Sequence, residues 1–111
     1  MIVFVPGRGD VVWLDFSPQA GREQAGRRLA LVLSPKKYNK VTGLMICCPL
    51  TTRIKGYPFE VATRIGGKNG VALADHVKNV DWRARNAQKE SSVNQETLVD
   101  VLAKIESLLS L

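Results

Sequence analysis

Short apolar runs, cut by clusters of Gly, Pro, Ser and Asn, set the rhythm of this chain. Val11-Val12-Trp13-Leu14-Asp15-Phe16 is β-branched and aromatic and lies between Gly9-Asp10 and Ser17-Pro18, which predicts a strand. A glycine-containing loop without apolar periodicity follows, from Gln19 to Arg27. Leu29 to Leu33 predicts a second strand, stopped by Ser34-Pro35 and apolar on both faces, as in a closed or two-sided sheet. Lys36 to Gly43 is a polar connection with room for one helical turn. Leu44 to Leu50 predicts a third strand, with Pro49 setting its end at an edge or bulge.

The Gly56-Tyr57-Pro58 turn opens a fourth strand, Phe59 to Ile65. Gly66-Gly67-Lys68-Asn69-Gly70 reads as a hairpin loop leading into a strand over Val71 to Ala74. Val77 to Val80 and Ala84 to Gln88 are weaker strand candidates. Only at the end does the period change from two to 3.6. Leu98, Val101, Leu102, Ile105, Leu108 and Leu109 form one helical stripe. Asn94 stands as its N-cap, with Val93 and Leu98 placed as a hydrophobic staple. The expected fold class is mainly β with a C-terminal α-helix: five to seven short strands curved into a small barrel on which the helix docks.

A chain of 111 residues gives one small domain, expected to span residues 1–111. Its composition removes whole classes of chemistry. One histidine, His76, and two adjacent cysteines, Cys47 and Cys48, supply neither a zinc quartet nor a histidine pair for acid–base work. Neighbouring strand cysteines point to opposite faces and cannot bridge, so free, buried thiols of a reducing cytoplasm are expected. No apolar run approaches the roughly 20 residues that span a bilayer, and Met1 to Pro6 does not read as a secretion signal.

Charge changes the picture more. Residues 1–55 carry nine Lys/Arg against Asp10, Asp15 and Glu23, whereas residues 56–111 carry seven of each sign, so the net +6 belongs to the first half. Such a field suits a polyanion or an acidic protein equally well, and a solvated basic face is the plain alternative. The chemistry-bearing residues cluster in GREQAGRR (21–28) and LTTRIKG (50–56). If the second and third strands lie side by side, both segments meet at one rim. Arg28 would then fork onto the non-bridging oxygens of a phosphodiester, Thr51 would donate to it, and Glu23 would take the 2′-hydroxyl proton. Ion pairs of Glu23 with Arg22 or Arg27, and ordinary strand-end threonines, account for the same residues without any chemistry.

These same residues resemble the MazF/PemK family of toxin endoribonucleases. The likeness runs through GDVVWLDFSPQAGREQAGRR (9–28), ALVLSPKKYNKVTG (30–43), PLTTRIKGYPFEV (49–61) and GVALADHVKNVDWRAR (70–85), nearly the whole chain. It implies a homodimer of SH3-like barrels that cleaves single-stranded mRNA at short sequences, with no metal or other cofactor, leaving a 2′,3′-cyclic phosphate and a 5′-hydroxyl. It implies Arg28, Thr51 and Glu23 as catalytic residues, with Gln24 and Lys55 on the RNA. Arg27, Lys36, Asn39, Thr52 and Arg53 complete the expected RNA-binding set. The implied partner is an acidic, partly disordered antitoxin of MazE type, in the cytoplasm.

One departure stands out. Many members have proline directly after the catalytic arginine, where this chain has Leu29, which restores an N–H and some backbone freedom. Two other readings remain open from the sequence: a toxin of the same barrel that acts by binding a protein, as the gyrase poison CcdB does, and a nucleic-acid-binding module without turnover.

Overall fold

The computed structural model describes residues 4–16 and 26–110. Seven strands and two helices follow one another as β1 (Asp10–Asp15), β2 (Arg27–Val32), α1 (Lys36–Thr42), β3 (Leu44–Thr51), β4 (Glu60–Ile65), β5 (Lys68–Leu73), β6 (Lys78–Asp81), β7 (Gln88–Ser92) and α2 (Gln95–Leu109). All pairings are antiparallel, in the order β4-β5-β3-β2-β1-β7. β3 is the hub. It pairs with β2 from Cys47 to Pro49, with β6 from Leu44 to Cys47, and with β5 at Leu50 and Thr51. Pro49, which has no N–H to give, occupies the step between its β6 and β5 partners.

Because β2 is apolar on both faces, it feeds two cores. Leu29, Leu31 and Leu33 join Val11, Cys48, Leu50 and Ala72 on the face that α2 covers with Leu98 and Val101. Ala30 and Val32 join Val12, Leu14, Phe16, Met45, Cys47, Val80 and Trp82 on the other face, which the curl of the sheet encloses. Of the α2 stripe, Leu98 and Val101 are buried, while Leu102, Leu108 and Leu109 remain exposed. Asn94 caps the helix as its sequence position requires, accepting the Thr97 N–H at 2.8 Å.

Several expectations shift in detail. The polar connection after β2 is a two-turn helix, α1, ended by Gly43 in the left-handed conformation. The hairpin turn is only Gly66-Gly67, both at positive φ, and Lys68 to Gly70 already belong to β5. Ala84 to Gln88 is not a strand apart from its last residue. The Asp81 carboxylate accepts the Arg83 and Ala84 N–H groups, and Asn86 adopts φ 55°, which turns the chain before β7 begins at Gln88.

Candidate functional site

Arg28 stands near the start of β2, and Thr51 ends β3. The two strands are neighbours, and their register pairs Val32 with Cys47, Leu31 with Cys48 and Ala30 with Pro49. Carried on by two residues, that register sets Arg28 opposite Thr51, and the alternation of a strand puts both on one face. Arg28 is exposed and Thr51 half-buried. The Thr51 hydroxyl oxygen accepts the Arg53 N–H at 3.1 Å, which leaves its own proton to be given elsewhere. Phe16 N–H donates to Gly26 O at 2.8 Å, tying the end of β1 to the residue before β2. Glu23 and Gln24 lie outside the described residues.

Beyond Thr51, residues 52–58 are exposed throughout, including Thr52, Arg53 and Lys55. Their backbone is held by a carboxylate that sequence reasoning passed over: Glu60 accepts the Gly56 N–H at 2.9 Å and the Lys55 N–H at 3.2 Å. The Lys55 ammonium lies 6.0 Å from the centroid of the Tyr57 ring, which in turn packs against Phe59 at 5.3 Å. The rim thus combines cations, hydroxyls and an exposed aromatic face, a combination suited to a single-stranded polynucleotide. Among the described residues, two grooves, of about 450 and 540 Å³, lie along α2 and β4.

Three residues of the expected RNA-binding set lie away from Arg28 and Thr51. Arg27 points to the opposite face of β2 from Arg28. It donates to Asp15 Oδ1, to Asn86 O and to Gln88 Oε1, each at 2.8 Å. Asn86 and then Arg27, through their hydrogen bonds, hold the Asp15 carboxyl below the usual carboxylate range. Arg27 is therefore a clamp between β1, β2 and the turn before β7. Asn39 is fully buried: it donates to Pro6 O and Ser34 O, accepts from the Ser34 hydroxyl, and its carbonyl accepts the Trp82 indole N–H. Lys36 opens α1, at the opposite end of the β2–β3 pair from Arg28 and Thr51.

The cysteines are buried and free. Burial pushes the Cys47 thiol up to about 12 and raises that of Cys48 further, so both stay neutral and unreactive. Conversely, two half-buried cations escaped notice. Lys78 lies 5.7 Å from the Phe16 ring centroid, and Arg85 donates to Asp15 O at 3.0 Å. The signal available was the position of Lys78 two residues before Val80, on the inward side of a strand.

Comparison with known proteins agrees with this architecture. The profile of the PemK-like, MazF-like toxins of type II toxin–antitoxin systems matches residues 7–109. The endoribonuclease toxin MazF of Escherichia coli K12 is 52% identical over 106 residues, 96% of each chain. ChpB, an endoribonuclease toxin of the same organism, is 31% identical over 108 residues, covering 92% of each. The crystal structure of MazF from Deinococcus radiodurans superposes with a TM-score of 0.91 at 53% identity, over 98% of this chain and 100% of that one. A MazE–MazF complex from that organism gives 0.85 at 47% identity, over 98% and 99%. With both the barrel and the sequence matched from end to end, this chain belongs to the PemK-like, MazF-like family of type II toxin–antitoxin toxins.

Proposed function

We infer that this chain is an endoribonuclease toxin whose catalytic pair is Arg28 and Thr51, with Glu23 as general base. The substrate is single-stranded mRNA. The 2′-oxygen attacks the adjacent phosphorus as its proton passes to Glu23. The O2′–P bond forms and the P–O5′ bond breaks, leaving a 2′,3′-cyclic phosphate, and O5′ departs as an alcohol by taking up a proton from solvent water. Arg28 grips the non-bridging oxygens as charge accumulates on them, and the Thr51 hydroxyl donates to the same group. Thr52, Arg53, Lys55 and Gln24 guide the strand. The toxin works in the cytoplasm as a homodimer, and an acidic MazE-type antitoxin silences it by covering the basic rim. Trp13, Val99, Leu102 and Leu109 are exposed apolar residues that support association with a second copy.

The observation that supports this reading is the β2–β3 register, which, carried on two residues past Ala30 and Pro49, sets Arg28 and Thr51 on one face. Its test is cleavage of an end-labelled transcript. Arg28→Ala should lower kcat by a factor of about a hundred or more while leaving the fold and the dimer intact, since a single lost oxyanion donor costs that much. Thr51→Ala should do likewise, and excess EDTA should change nothing. Full activity in the Arg28 variant removes the proposal.

A further inference from the structure

Helix α1 carries positive charge that its own stability does not account for. Lys36, Lys37 and Lys40 are all exposed, and helical spacing puts them within about 100° of one another around the axis. Lys36 and Lys37 stand in the first turn, which holds no acid, and the N-cap, Pro35, gives no side-chain acceptor. Cations at the start of a helix oppose its dipole, and like charges at i and i+4, as at Lys36 and Lys40, repel. A helix built for stability alone would carry acids there. What holds α1 is burial of Asn39, which donates to Pro6 O at 2.7 Å and to Ser34 O at 3.1 Å, while its backbone carbonyl accepts the Trp82 indole N–H at 2.9 Å.

A fourth cation joins the three. Arg8 is exposed, and its Nε donates to Leu33 O at 2.7 Å, three residues before Lys36. The neighbouring Gly7 packs on Lys36: a Cβ added to it would lie 3.6 Å from the Lys36 Cβ. Among the described residues, no carboxylate pairs with any of the four. Asp10, the acid nearest to Arg8 in sequence, accepts the Gly7 N–H at 2.9 Å and lies 3.4 Å from the Lys89 ammonium. The patch sits where β2 hands over to β3 through α1, at the opposite end of that pair from Arg28 and Thr51.

We propose that Arg8, Lys36, Lys37 and Lys40 form a second RNA-binding surface, which holds the backbone of the substrate away from the bond that is cut. This rests on the nuclease reading above, which makes the substrate a long chain with a charge at every nucleotide. Unpaired surface cations bind such a polyanion by releasing its counterions, and contacts to phosphate add affinity without base preference. Among the described residues, Val41 is the one exposed large apolar side chain on α1. That is too little for the apolar centre that a protein partner buries, which favours RNA over an acidic protein.

The test uses the full-length protein and compares affinities at about 0.15 M salt, where a Debye length of about 8 Å suppresses long-range steering. Two RNAs carry a 2′-deoxy sugar at the cut site, so that binding is read without turnover. One covers little more than that site, and the other is several times longer. Lys37→Gln/Lys40→Gln should weaken binding of the long RNA about tenfold and lower its slope of log K against log salt by about 1.4, the value for two phosphate contacts on a single strand. Binding of the short RNA should stay at the parental level. On cleavable RNA, KM should rise for the long substrate alone. The variant should melt no lower than the parent, because the charges removed oppose α1. Lys68→Gln/Lys104→Gln lowers the net charge equally, at the start of β5 and on α2, and should keep the parental slope. A parental slope in the α1 variant overturns the proposal, and so does an equal fall in the control. An unchanged RNA slope with loss of polyglutamate binding overturns it in favour of an acidic protein. A parent that binds long RNA through α1 without cutting it fails the nuclease reading instead, so the two failures are separable.

Discussion

Arg27 and Arg28 are neighbours in sequence with opposite duties, because successive strand residues face opposite ways. Arg27 is consumed by three hydrogen bonds within the protein, so Arg27→Met should leave the salt dependence of RNA binding unchanged while lowering thermal stability. The Asp15 end of this clamp titrates. Its folded-state pKa is depressed below the ordinary 3.8, so its contribution is complete above that value and fades as pH falls through the depressed one. Asp15→Asn should therefore melt earlier than the parent at neutral pH, with the gap closing as the solution is acidified below about 4. A gap independent of pH contradicts the assignment. Leu29 is buried and pairs with Trp13 in the β1–β2 ladder. The freedom that leucine adds to the backbone is thus removed by packing, and Arg28 departs from a fixed strand.

Among the elements, β5 controls the Thr51 end of β3. Its Gly70 is packed so closely that an added methyl group would overlap the Ile65 side chain and lie 2.8 Å from Thr51 O. Gly70→Ala should cost about 1–3 kcal/mol, the usual penalty of overpacking. Because the overlap falls on the Thr51 backbone, it should also lower kcat by roughly tenfold to a hundredfold, since a small misplacement of a reacting group is enough. Denaturant melts and single-turnover cleavage measure the two effects. How far such elements could be read from sequence depended on whether their own side chains decide their state. α2 was legible because six apolar residues keep a 3.6 period and Asn94 marks its start. β7 was not, because Gln88–Ser92 has no apolar residue and all five are exposed, so only pairing with β1 makes it a strand. α1 hid for a similar reason: its one buried side chain is the polar Asn39. Likewise Arg28 and Thr51 could be named from pattern and resemblance, whereas the Glu60 hold on residues 55–56 needed coordinates.

Across the molecule, charge in the first half of the sequence does not mean charge on one face. Lys36, Lys37 and Lys40 supply much of the excess, yet α1 carries them at the end of the β2–β3 pair remote from Arg28. Four residues of strand separate Arg28 from Val32, about 13 Å, so these lysines add to the long-range field rather than to the grip on the cut bond. Replacing all three by glutamine should slow RNA association at low salt several-fold, leave kcat unchanged, and lose its effect above about 0.5 M salt, where the Debye length falls to a few ångströms. Stopped-flow binding alongside saturated turnover tests this.

The two sulfurs at the centre of β3 give the barrel an internal clock. A thiol attacks an alkylating reagent only as thiolate, and at neutral pH neither Cys47 nor Cys48 ionises while the sheet is shut around it. Each modification event therefore records one excursion in which the strands parted, so the pace of labelling reads the lifetime of the closed barrel without any engineered probe.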